Sequence, residues 1–206
     1  LLWPTSQSSI KSLFPEGKHK QIAEEFNSKI ISSLENEAKN LPISETGLVA
    51  IDWLNGRRTP NANQSLRGAI SGLNLGTSAP SIYRALVEAT AFGARRINDC
   101  FESQGIRIRE IIGIGGVSKK SDFVMQTLAD VLNRPIKICN SDQACALGAA
   151  MCAATAAGIY DTVEEARDAM NSGFSKEFIP TQTNAAKYDA LYERYLAFGK
   201  FIEDES

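Results

Sequence analysis

The stretch IREIIGIGGVSKKSDFVMQTLADVLNRPIKICNSDQACALGAAMCAA, residues 108–154, constrains the fold more than any other part of the chain. A branched apolar run, 107–114, stops at Gly115-Gly116, and a helical pattern follows from Ser121 to Leu132. A second short run, 134–139, leads to a helix rich in alanine and glycine, 143–157. Strand, helix, strand, helix with glycines at the strand ends is an α/β pattern. In such folds ligands sit at the carboxyl ends of the strands. Glycine lets backbone come close to a ligand, and a helix start offers free N–H groups. The stretch therefore reads as half of a nucleotide site.

Three nucleotide motifs compete for GIGGVSKKS. A dinucleotide fingerprint built on Gly113 and Gly115 requires glycine at 118, where the chain has Ser118. A phosphate loop of the G-x-x-x-x-G-K-[ST] type fails there too, because Ser118 precedes Lys119 and Lys120 follows it. What fits is a strand that ends in Gly-Gly and is followed by a helix. SDQACALGAA supplies a second wall, since Ala146, Gly148, Ala149 and Ala150 leave room for a flat ring or for tight packing. Either stretch alone reads as well as packing glycines; the two together, across one strand, are more specific.

The remaining pattern extends the α/β reading. Ile22, Phe26, Ile30, Ile31 and Leu34 recur at helical spacing between Lys18 and Ala38. GLVAIDWL, 47–54, is a buried strand stopped by Asn55-Gly56, and 55–65 is a polar loop. Pro80-Ser81 opens a long central helix that ends near Gly105. Thr162 with Glu165 caps a small helix, 162–170; residues 171–182 form a loop; a final packing helix, 184–203, carries Tyr188, Leu191, Tyr192 and Tyr195.

With 206 residues and 43% hydrophobic content the chain can fill the core of one compact domain. The 22 basic and 24 acidic residues are scattered and leave a net charge of −2, which gives no reason to expect nucleic acid or an anionic membrane. No apolar run approaches the roughly 20 residues of a membrane span, and no signal peptide opens the chain, so a soluble cytoplasmic protein is expected. Cys100, Cys139, Cys145 and Cys152 form no C-x-x-C pair and His19 is the only histidine, so no zinc site is expected; the cysteines read as small buried apolar groups in a reducing compartment. LLWPTSQSSIKSLF has no initiator Met and reads as the middle of a longer polypeptide.

GGVSKKSDFVMQTLADVL and SDQACALGAA, taken as a pair, resemble the adenosine-binding segment of the FGGY family of carbohydrate kinases, which are built on the actin, hexokinase and Hsp70 type of ATPase fold. NGRRTPNANQSLRGAISGLNLGTSAPSIYRALVEATAFGARR, 55–96, resembles the family's Gly-Glu-Arg-Thr-Pro stretch and the signature after it, with Arg57 where most members have Glu. DWLNGRRTPNANQ and VLNRPIKICNSDQACALGAA are closest to the members that act on L-ribulose. The likeness is clearest over 47–157 and implies an actin-like α/β domain with a mixed sheet flanked by helices. It further implies that the chain is the second of two lobes closing over Mg·ATP and a sugar, L-ribulose or a related one, in an enzyme that often dimerises.

On that resemblance Gly115 and Gly116 are the close-approach glycines. Lys120 falls where a relative such as glycerol kinase places an Asn against adenine. Gln143, often Glu in relatives, and Asp142 stand near the ribose or adenine or simply start the helix. Arg57 and Arg58 contact phosphate or hold their loop. Phosphoryl transfer needs a carboxylate to accept the hydroxyl proton, and the resemblance places that group, the first phosphate loop and most sugar contacts ahead of these residues. No catalytic residue or metal ligand is therefore expected here: Asp52, Glu88 and Asp130 read as surface or packing carboxylates. A Gly-Gln-Ser segment of relatives is matched only by Gln7-Ser8. The rival readings are a nucleotide-responsive module like the actin or chaperone ATPases, a xylulose or glycerol kinase of the same family, and a structural domain with a vestigial pocket.

Overall fold

The computed structural model describes residues 19–205; the Gln7-Ser8 match lies outside them. Helix α1 (His19–Ala38) leads to strand β1 (Val49–Ile51), strand β2 (Ala69–Ser71) and the long helix α2 (Ala79–Ser103). Strand β3 (Ile111–Gly113), the short helix α3 (Gly116–Lys120), helix α4 (Asp122–Leu132) and strand β4 (Ile136–Cys139) follow. Helix α5 (Ala144–Ala156), helix α6 (Val163–Met170), strand β5 (Phe174–Phe178) and helix α7 (Gln182–Asp204) complete the order. β1 and β2 pair antiparallel. β3 and β4 pair parallel, with Gly113 opposite Ile138, and β5 adds antiparallel to β4. The expected α/β class with a mixed sheet and flanking helices is what the chain adopts.

Local chemistry sets the helix starts. Ser78 accepts from the Ser81 N–H ahead of α2, with Pro80 in the first turn where a missing N–H costs nothing. Ser121 accepts from Val124 N–H, and Asn133 closes α4 in the left-handed region at φ 48°. Thr162 accepts from Glu165 N–H at 3.1 Å, and the Glu165 carboxylate reaches back to Asp161 N–H. That is the expected reciprocal cap, displaced by one residue from its usual donor.

Three elements depart from the sequence reading, the first being β2, in a stretch where no strand was expected. β5 lies inside the expected loop 171–182, and of its residues only Phe178 is buried, so FSKEF carries no alternation to announce a strand. The turn after β3 is itself helical from Gly116, and α4 restarts at Ser121.

One core cluster gathers β1, α2 and α7, with Ile51, Trp53, Leu66, Phe92, Tyr188 and Tyr195 buried. A smaller one joins α4 to β4 and β5 through Met125, Ala129, Ile136, Ile138 and Phe178, and Leu128 packs against both. Beneath α2, Arg84 and Glu88 form a buried ion pair at 2.8 Å. Arg84 also donates to the carbonyl of Ala38, the last residue of α1, to that of Leu41 in the turn after it, and to the Tyr188 hydroxyl. One guanidinium thus ties α1, α2 and α7 together. Burial pushes the Glu88 carboxyl above its ordinary range, and Arg84 pulls it back.

The cysteines correct an expectation. All are free, but Cys100, Cys145 and Cys152 are exposed and Cys139 is half-buried. The reason for Cys145 and Cys152 is that α5 packs against α6 and buries only Met151. Among the described residues no helix is long and apolar enough to cross a membrane.

Candidate functional site

Because β3 and β4 run parallel and in register, their carboxyl ends open on the same side of the sheet. The turn after β3 and the loop after β4 are thereby neighbours, and Lys119 joins them: its ammonium donates to Asn140 O at 2.8 Å and pairs with the Asp142 carboxylate. The two glycine-bearing stretches meet across one strand, as the sequence suggested. Lys119 holds the Asp142 carboxyl below its usual value, through the hydrogen bond first and charge second.

The glycines of the turn divide into two kinds. A Cβ on Gly113 would meet Ile138 Cδ1 at 2.8 Å and Met125 Cε at 3.1 Å, so this glycine lets the strand lie against its neighbours. A Cβ on Gly115 or on Gly116 would meet nothing within 4 Å, and the same holds for Gly148 in α5. Gly115 also adopts φ 84°, a conformation that favours glycine. The Ser118 hydroxyl donates to Gly115 O at 2.7 Å and is buried beneath the turn. The backbone at 115–116 therefore faces open space on its Cβ side, and α3 starts there without a side-chain cap.

Lys120 and Gln143 are exposed, Lys120 on α3 and Gln143 at the start of α5. Neither side chain makes a hydrogen bond to another described residue, so both are available to a ligand. Sequence reasoning singled out Lys120 and passed over Lys119 and Ser118. Lys119 is the lysine that spans the two loops, and Ser118 is the residue that fixes the turn.

The carboxylates weighed as bases sit elsewhere. Glu88 is held by Arg84. Asp130 accepts from Gln126, from Asn184 and from Thr181 N–H, and so supplies the cap that Thr181's own side chain does not give α7. Asp52 ends β1 at the floor of a cleft of about 510 Å³ between the 52–59 loop, α2 and α7. Arg57 and Arg58 stand in that loop and not beside the glycine turn. Arg57 is buried, pairs with Glu203, donates from Nε to Asn61 O at 2.8 Å and covers the Trp53 ring at 4.9 Å. Arg58 is exposed in the same cleft. Among the described residues, His, Cys, Asp and Glu gather in no group of three or more able to hold a metal ion.

Comparison with known proteins gives this geometry a context. The sequence profile of the FGGY family of carbohydrate kinases, C-terminal domain, matches residues 7–157. The chain is 46% identical over 181 residues to the ribulokinase of Vibrio parahaemolyticus, covering 88% of this chain and 32% of that protein. It is 42% identical over 199 residues to the ribulokinase of Bacillus licheniformis, covering 93% and 36%. The structure superposes on xylulose kinase from Rhodospirillum rubrum with a TM-score of 0.74 at 25% identity, over 90% of this chain and 36% of that one. The chain spans about a third of the length of the curated relatives it matches.

Proposed function

The chain belongs to the FGGY family of carbohydrate kinases, as an α/β domain of the actin-like ATPase type, and from that premise we propose that it is the nucleotide-holding lobe of an ATP-dependent, cytoplasmic sugar kinase. The intact enzyme phosphorylates L-ribulose at its terminal hydroxyl to give L-ribulose 5-phosphate, in the breakdown of arabinose. The ribulokinase relatives support that sugar over xylulose or glycerol, because they share 42–46% of aligned residues where the xylulose kinase shares 25%. Membership of a carbohydrate-kinase family leaves the actin- or chaperone-like module without support.

The observation that carries the nucleotide reading is the open space over Gly115 and Gly116, reached by parallel strand ends and braced by Lys119. Adenosine lies against the bare backbone there, with Lys120 and Gln143 at its edges. ATP supplies the transferable phosphoryl group, and this chain's part is to bind it, orient it and keep water from it on lobe closure. The family resemblance puts the carboxylate that accepts the sugar hydroxyl's proton in the other lobe, and Glu88 and Asp130 of this chain are engaged in its own interior. Mg²⁺ accompanying ATP would neutralise phosphate charge during transfer; the described residues offer it no cluster of three or more His, Cys, Asp or Glu.

Calorimetric titration of the chain with Mg·ATP, wild type against Gly116→Val, tests this reading. A side chain at 116 enters open space and not packed atoms, so the variant folds. The expected result is heat of binding in the wild type and a loss of about tenfold or more in affinity in the variant. Equal affinity in the two would place the nucleotide elsewhere.

A further inference from the structure

The cleft at the end of β1 lies apart from the glycine turn, and its chemistry is unlike that of a nucleotide site. Its loop is held firmly: Arg57 and Asn63 exchange backbone hydrogen bonds at 2.9 Å in both directions, and the Arg57 side chain is fixed by Glu203 and Asn61. Gly56, at φ 76°, lies so close to Gln64 that a Cβ would meet its Cα at 2.7 Å. The walls are thus set before any ligand arrives, which lowers the cost of binding.

Charge is distributed unevenly over those walls. Arg57 is matched by Glu203, whose nearer oxygen stands 3.9 Å from Arg96. That leaves the Arg96 side chain, 24% exposed, weakly paired, and Arg58 makes no ion pair among the described residues. The one carboxylate lining the cleft is Asp52, at the floor. Gly93 of α2 faces it without a side chain: a Cβ there would sit 3.8 and 3.9 Å from the Asp52 oxygens and 3.9 Å from the Tyr195 hydroxyl. The cleft therefore offers positive groups on its walls and hydroxyl-binding groups at its base. Its one indole, Trp53, is 6% exposed and covered by Arg57, so there is no face on which a base would stack.

We propose that this cleft binds a small phosphorylated polyol, the phosphate between Arg58 and Arg96 and the hydroxyls on Asp52 and Tyr195. Arginine suits the phosphate because its planar donors match the oxygens in pairs. A carboxylate and a phenol at the far end offer sugar hydroxyls an acceptor and a donor that an apolar tail could not use. A cleft of about 510 Å³ is within the range of small-molecule sites.

The test is calorimetric titration of the chain with ribose 5-phosphate, and separately with ribose and with inorganic phosphate. Arg58→Ala removes an exposed side chain with no partner to lose. Gly93→Ala places a methyl at ordinary contact distance on the floor, so both variants fold. Expected are saturable binding of ribose 5-phosphate at about millimolar concentration, a loss of about tenfold or more in Arg58→Ala, and in Gly93→Ala a weakened sugar phosphate with unchanged inorganic phosphate. The proposal is overturned by no binding of ribose 5-phosphate, by inorganic phosphate binding as tightly as ribose 5-phosphate, or by affinity that neither variant alters. The outcome is independent of the Gly116→Val titration, which reads a different site.

Discussion

Ser118 occupies the position that breaks two nucleotide fingerprints, and its hydroxyl holds the Gly115 carbonyl at 2.7 Å. A glycine there would leave that carbonyl without this partner, so the departure from those motifs belongs to a turn of another construction. Asp52 offers a second residue-scale argument. Burial raises its carboxyl above the ordinary value of 3.8, and a backbone hydrogen bond offsets the rise only in part. The native state then holds the proton more firmly than the unfolded chain does. Its contribution to stability is complete below pH 3.8 and is lost as pH rises through the higher folded value. Asp52→Asn should flatten the fall in stability from about pH 4 upward, measured by urea unfolding at a series of pH values; an unchanged slope would assign it to other groups. The charge of Asp52 adds to burial in pushing the neighbouring Tyr195 phenol up to about 12, so Tyr195 stays a neutral hydroxyl throughout that range. The sequence displayed Gly115 and Gly116 plainly. It did not tell Lys119 from Lys120, because adjacent lysines on a turn differ only in which way the backbone aims them.

Among the elements, α1, α2 and α7 meet at Arg84, whose donors reach a carboxylate, a phenol, the carbonyl that ends α1 and that of Leu41 just after it. Arg84→Ala should cost about 3–5 kcal/mol, since it strands Glu88 in the interior and frees the end of α1. The paired change Arg84→Met with Glu88→Leu should recover much of this, though not all, because the carbonyls of Ala38 and Leu41 still lose their donor. Denaturant unfolding of the three proteins checks it: a single variant within about 0.5 kcal/mol of wild type would mean that the pair contributes little. The long helices were legible because apolar residues recur along them, and serine or threonine marks the starts of α2, α4 and the short α6. β5 was not, because an edge strand with one buried residue lacks the alternation that periodicity detects. The buried cysteines expected on α5 failed for a related reason: an all-apolar helix does not state which side is covered.

At the scale of the whole molecule, the two core clusters share Leu128, which faces β1, α2 and α7 on one side and β4 and β5 on the other. Leu128→Ala should cost about 2 kcal/mol or more and raise amide hydrogen exchange in β1 and β4 together. Faster exchange in β4 alone would show that the clusters open separately. The first cluster also depends on residues far apart along the chain: Ile51 and Trp53 pack with Tyr188 and Tyr195, and Arg57 is secured by Glu203, 146 positions later. This arrangement bears on biosynthesis. Segments leave the ribosome in order, at about 5–20 residues per second, so β1 waits roughly 7 to 30 seconds before α7 emerges to cover it. During that interval Trp53 and its neighbours depend on chaperones or on transient contacts for shelter, and the larger core is completed only when α7, the last helix described, arrives.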